Sequence, residues 1–102
     1  MSADAVFAAL ADPTRRHLVE RLAAGSPATA TRLAADLPIT RQAVAKHLDL
    51  LGSAGLVSRR RQGRETRYRL TPEPLGDAAA WMASVGGEWD ERLGRLARLL
   101  DG

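Results

Sequence analysis

The sequence predicts a mainly α-helical fold with one small β-hairpin. Three observations carry that expectation. Apolar residues recur at helical spacing in a series of short runs between Ala3 and Leu51. A strand-like, arginine-rich segment, LVSRRRQGRETRYRL, follows Gly55. A long helical period then fills residues 71–102.

A chain of 102 residues has room for one domain, 1–102, with a body over 1–70 and a C-terminal helix over 71–102. A core this thin is often completed by a second copy. The composition, 45% hydrophobic and 26% charged, is that of a globular chain. Cysteine is absent, which removes disulfides, thiolate chemistry and Cys-based metal sites. No apolar run is long enough for a membrane span or a secretory signal, so no membrane partner and a cytoplasmic location are expected. The net charge of +3 is unevenly placed: residues 1–70 hold 12 Lys and Arg against 6 Asp and Glu, residues 71–102 hold 3 against 6. A basic body with an acidic tail points to a polyanion partner for the body alone.

Ala3 to Leu10 reads as a short helix carrying Val6, Phe7 and Leu10. Asp12 and Pro13 restart the chain as N-cap and first helical residue, and the helix runs to Ala24 on the stripe Leu18, Val19, Leu22. Gly25 is the expected stop. Arg15 and Arg16, on its first turn, read as a solvated face rather than as phosphate contacts. Ser26 to Ala28 is expected to be a turn. A third helix then starts at Thr29 or Ala30 and runs to about Leu37, with Leu33, Ala34 and Leu37 inward.

Pro38 and Ile39 lead directly to Thr40, the expected N-cap of a helix through Leu51. Val44, Leu48 and Leu51 fall on one stripe, while Gln42, Lys46, Asp49 and Ser53 fall opposite, with Arg41 in the first turn. Taken alone, this is an ordinary amphipathic surface helix. Joined so closely to the helix before it, it forms a helix-turn-helix pattern whose second member could read a major groove. Pro38 cannot supply the positive φ that such turns often use, so another residue must take up the turn.

Gly55 should end that helix. Val57, Thr66, Tyr68 and Leu70 then suit two strands, with Gln62-Gly63-Arg64-Glu65 between them. Arg59, Arg60 and Arg61 break the alternation and leave the register open. The segment holds six Arg and one Glu. It could be a solvated charge run, but directly after a helix-turn-helix it reads better as a wing that meets phosphates or enters a minor groove. The whole is a winged helix-turn-helix of about five helices and a two-stranded wing.

After the break at Pro72 and Pro74, the apolar residues Leu75, Ala79, Met82, Val85, Trp89, Leu93, Leu96 and Leu100 step by 4, 3, 3, 4, 4, 3, 4. That approaches a coiled-coil seam, interrupted at Gly86-Gly87. The tail either folds back on its own domain or pairs with a second copy. Its apolar excess favours a homodimer built on Val6, Leu10, Met82, Val85, Trp89, Leu93 and Leu96.

The runs LADPTRRHLVERL, AVAKHLDLLGSAGLV and RRRQGRETRYRL, in this order, resemble the ArsR/SmtB family of bacterial winged-helix repressors over nearly the whole chain. The tail WMASVGGEWDERLGRLARLL is similar to the dimer helix of a subgroup without metal ligands. The resemblance implies a homodimer that binds an inverted-repeat operator in double-stranded DNA and represses transcription. It places Arg41, Gln42, Ala45, Lys46 and His47 at contact positions of the recognition helix and Arg61, Arg64 and Arg67 in the wing. With the cap Thr40 and the wing residue Arg59, these form the expected DNA-contacting set.

Thr29 and Thr31 stand where arsenic- or cadmium-sensing members carry Cys-x-Cys, and residues 71–102 contain no His where zinc sensors have ligands. His17 and His47, each beside the apolar face of its helix, read as satisfied structural histidines rather than metal ligands. No metal site, no metal sensing and no cofactor are expected, and an inducer is not written in the sequence. No nucleophile, base and phosphate loop come together, so an enzyme is not expected. The rival reading is a winged-helix protein-interaction module that does not bind DNA.

Overall fold

The computed structural model describes residues 3–25 and 27–101, and of Trp89, Leu100 and Asp101 only the backbone. The elements are α1 (Ala3–Leu10), α2 (Pro13–Ala24), β1 (Ala28–Thr29), α3 (Ala30–Ala34), α4 (Arg41–Ser53), β2 (Val57–Gln62), β3 (Glu65–Leu70) and α5 (Glu73–Asp101).

Side-chain caps start three of the helices. The Asp12 carboxylate accepts the amides of Thr14 at 2.7 Å and Arg15 at 3.3 Å. Thr29 Oγ1 accepts from Arg32 N at 3.2 Å, and Thr40 Oγ1 from Ala43 N at 3.0 Å. Each satisfies an amide that has no partner within the first turn. Helix α4 ends on Gly55 at φ 77°, with Leu56 N bonded to Leu51 O and Gly55 N to Gly52 O, both at 3.0 Å. This paired closure needs a left-handed residue, and glycine supplies it without a Cβ clash. Gly63, at φ 61°, does the same in the two-residue loop of the hairpin.

Several boundaries differ from expectation. Helix α3 stops at Ala34, not near Leu37: beyond it the bonds run three residues back, Ala35 N to Arg32 O at 3.3 Å and Leu37 N to Ala34 O at 3.1 Å, and Pro38 has no amide with which to resume the helix. The link from Ala35 to Thr40 contains no positive φ, so no residue takes the left-handed turn that Pro38 cannot make. Gly25 ends α2 in an extended conformation, φ −128°, rather than a left-handed one. Ala28, expected in a turn, and Thr29, expected at the start of the third helix, form a strand. They pair with Tyr68 and Arg67, so the sheet has three antiparallel strands in the order β1-β3-β2. Two residues are too few for a period of two to register in sequence.

The core lies where α2, α3 and α4 meet the base of the sheet. Leu18, Leu33, Val44, Leu48, Leu51 and Leu56 are each 1% exposed or less. Helix α1 closes one side through Val6 and Ala9, and α5 leans on α1 through Ala78. Trp81 packs edge-to-face on Phe7, ring centroids 5.5 Å apart.

Beyond this contact α5 leaves the body. The Gly86-Gly87 pair does not break it, and the molecule is 68 Å long against 27 and 21 Å across. The helix therefore does not fold back. Met82, Val85, Leu93, Leu96 and Leu99 stay exposed, the first at 51% and the last at 79%. Val6, expected at the dimer face, is only 1% exposed and belongs to the core of its own protomer, while Leu10 is half-buried. The side chain of Trp89 lies outside the described residues. Among the described residues no helix is long and apolar enough to cross a membrane.

Candidate nucleic-acid interface

Helix α4 is held from behind by Val44, Leu48 and Leu51, so its other face is left to solvent. Arg41, Gln42, Lys46 and Asp49 are exposed there, and Ala45 is half-buried beside them. The cap at Thr40 fixes where this face begins. The wing stands next to it. Pairing of Arg59 with Tyr68 and of Arg61 with Thr66 puts these four residues on one face of the hairpin. Tyr68, 7% exposed, turns that face toward α4.

A groove of about 550 Å³ results, lined by Arg41, Gln42 and Ala45 from α4, Arg64, Glu65, Thr66 and Tyr68 from the wing, and residues 29–31. Tyr68 also borders a second hollow of about 450 Å³, between Asp49 and Gly52 of α4 and Arg59 of the wing. There Arg59 Nη1 lies 3.7 Å from Asp49 Oδ1. The arrangement is a polar channel with arginines on both banks, suited to a charged backbone on the wing side and base edges on the helix side.

Of the expected contact residues, Arg41, Gln42, Ala45 and Arg64 meet in this groove. Lys46 follows one turn along α4, and Arg59 and Arg61 share the inward wing face. Arg67 does not join them. It pairs with Arg60 across the strands, lies on the outer face near Arg69, and its Nη2 is 3.6 Å from Glu65 Oε2. His47 does not face the groove either. It is half-buried, and its Nδ1 is 3.3 Å from Arg15 Nη1.

Arg16 is exposed, as expected of a solvated face, but Arg15 is largely buried, and both guanidiniums are engaged. Arg15 Nε donates to Ala9 O at 2.7 Å and Nη2 to Ala8 O at 3.4 Å, while Arg16 Nη1 donates to Leu10 O at 2.7 Å. These guanidiniums close the carbonyl end of α1, where the helix dipole favours cations. A signal was present in the sequence: two arginines directly after a helix end. Partial burial raises the Asp12 carboxyl, but the amides of Thr14 and Arg15 and the charge of Arg15 outweigh this and hold it below the ordinary aspartate range. Thr31 and Thr66, which also line the groove, carry no sequence signal beyond Thr66's place in the hairpin.

Among the described residues no three His, Asp or Glu side chains come together as a metal site would require. His17 Nε2 is buried without a hydrogen-bond partner, so His17 is not the satisfied histidine expected.

A helix-turn-helix domain model matches residues 10–60, from the end of α1 to β2. An HTH-type transcriptional regulator of Mycobacterium tuberculosis, Rv2034, is 43% identical over 98% of this chain and 90% of its own. The transcriptional repressor SdpR of Bacillus subtilis is 33% identical over 86% of this chain and 97% of its own. Among solved structures, an ArsR-like transcriptional regulator from Rhodococcus superposes with a TM-score of 0.78 at 41% identity, covering 95% of this chain and 91% of that one. The homodimeric winged helix-turn-helix DNA-binding domain of Mb0332 from Mycobacterium bovis gives 0.64 at 30% identity, over 90% and 82%. The cadmium sensor CMTR of Mycobacterium tuberculosis gives 0.58 at 39% identity, over 68% and 70%. With the fold, the groove and these likenesses in agreement, the chain belongs to the ArsR family of winged helix-turn-helix transcriptional regulators.

Proposed function

We propose that this regulator is a cytoplasmic, homodimeric repressor that reads an inverted-repeat DNA operator and does not sense metals. The observation that carries the reading is the groove between α4 and the wing, which joins Arg41, Gln42 and Arg64 on one surface. Arg41 suits a bidentate pair with guanine and Gln42 with adenine, each giving about 1–3 kcal/mol of discrimination. Lys46, Arg59, Arg61 and Arg64 then neutralise phosphates and supply affinity without sequence information. The exposed apolar seam of α5 supports a dimer, as does the homodimeric relative. Such a dimer sets two reading helices about 34 Å apart, one turn of DNA.

Repression is supported by the name of the relative SdpR. The likeness to a cadmium sensor does not extend to its chemistry in our reading. This chain has no cysteine, and one of its two histidines, His47, is engaged by Arg15.

Selection of bound sequences from a random duplex pool tests the proposal. The expected result is an inverted repeat with half-site centres about 10 base pairs apart. In the Gln42→Ala variant, preference should relax at one base pair of each half-site. No enrichment at low salt would favour a protein-interaction module, and enrichment of a lone half-site would refute the dimer.

A further inference from the structure

We infer that Arg15 is a positioning residue for DNA reading, tying the reading helix α4 to the helix that carries the dimer arm. This rests on the dimeric DNA-binding reading above. One guanidinium, its side chain only 15% exposed, reaches three elements. Nε and Nη2 hold the carbonyls of Ala9 and Ala8 at the end of α1. Nη1 lies 3.8 Å from Asp12 Oδ2, the cap of α2. The same nitrogen meets His47 Nδ1 in the middle of α4 at 3.3 Å.

Helix α1 is also the element on which α5 rests, through Ala78 and the Phe7–Trp81 ring pair. The route from a partner's arm to the reading helix is therefore α5, α1, Arg15, His47, α4. Apolar packing alone lets α4 roll or slide with little directional penalty. A planar fork holding two carbonyls on one side and a ring nitrogen on the other does not. Lysine, a flexible single point charge, cannot span these acceptors in one geometry. Because arginine can only donate, Nδ1 of His47 must accept, which requires the proton on Nε2. His47 acts from behind α4, not as a contact to DNA.

If this link sets the orientation of α4 relative to the dimer arm, losing it should loosen the spacing between the two half-sites before it weakens either half-site. The experiment uses the full chain and the selected operator with one base pair added to or removed from the spacer. His47→Leu removes the acceptor on α4 and leaves the other Arg15 bonds, and His47→Gln offers Arg15 a carbonyl in its place. His47→Leu should lose about ten-fold of the wild-type preference for the native spacer, with the melting temperature and dimer mass little changed. His47→Gln should keep most of the preference, and Arg15→Lys should lose it.

An unchanged spacer preference in His47→Leu overturns the inference. So does an equal loss of affinity in both His47 variants for every spacer, which would place His47 on the DNA. A measurement without DNA separates failure of this link from failure of the operator reading. Nitrogen-15 NMR of the wild-type imidazole should show Nε2 protonated and Nδ1 bare, with Nδ1 shifting in Arg15→Lys. A proton on Nδ1 overturns the inference whatever the protein binds.

Discussion

Arg59 of the wing lies 3.7 Å from Asp49 of the reading helix, so the two sides of the interface are joined by a charge pair. Both side chains are more than 60% exposed, and such a pair contributes at most about 1 kcal/mol. In the proposed mode of binding its effect falls on DNA: Asp49 would put a negative charge on the face offered to phosphates and occupy a cation that would otherwise bind any duplex. Asp49→Asn should therefore raise affinity for random duplex about three-fold and narrow the gap to the operator, with little change in melting temperature. Parallel titrations with random and selected duplexes check this. A wider gap would show that Asp49 reads a base.

The two faces of the wing should behave differently in salt. Arg61 shares the inward face with Tyr68, whereas Arg67 lies outward beside Glu65. Arg61→Gln should reduce the slope of log affinity against log salt by about 0.9, the value of one phosphate contact. Arg67→Gln should leave that slope nearly unchanged. The reverse result would turn the wing over.

Thr40 starts the reading helix by accepting the Ala43 amide. Thr40→Ala should cost about 1 kcal/mol. For a domain of this size that is a melting shift of about 4–8 °C. Because Arg41 and Gln42 occupy the turn that frays, operator discrimination should fall with it. Circular dichroism melts and a competition assay measure the two effects separately.

Leu96 is 52% exposed on a seam that its own protomer does not cover. Leu96→Glu should give a monomer by sedimentation equilibrium while the body keeps its fold. Loss of the second attachment should weaken operator binding by about 100-fold or more. A dimer that survives this change is built on another face.

The lowered Asp12 pKa sets a sign for acid stability. The unfolded chain takes up the proton first, near the ordinary value of 3.8, and the folded chain only at lower pH. The contribution is thus complete above that value and is lost as the pH falls through the folded one. Asp12→Asn, which can still cap α2, should show a shallower fall in melting temperature between about pH 5 and 3. Equal slopes for both proteins would mean that the carboxylate is not favoured in the fold.

What sequence could show here was local. The stripes of α2 and α4, the caps at Asp12 and Thr40 and the stop at Gly55 all follow from residues within a turn of one another. Strand β1 was hidden because it is two residues long and pairs with residues far along the chain. The wing register was hidden because Arg59, Arg60 and Arg61 hide the alternation that its pairing with Tyr68 and Arg67 makes plain. Arg15 and His47 are 32 positions apart, so only the fold brings them together. In the groove itself, Arg41, Gln42 and Ala45 were legible because one helix carries them, whereas the inward or outward choice between Arg61 and Arg67 was not.

Past Trp81, the large apolar side chains Met82, Val85, Leu93, Leu96 and Leu99 of α5 lie exposed, and two of its residues, Gly86 and Gly87, each give up about 1 kcal/mol of helix propensity relative to alanine. In the proposed dimer, folding of the head and joining of two heads become separable events. The number of copies in the cell, more than the durability of each one, would then decide how often an operator is held.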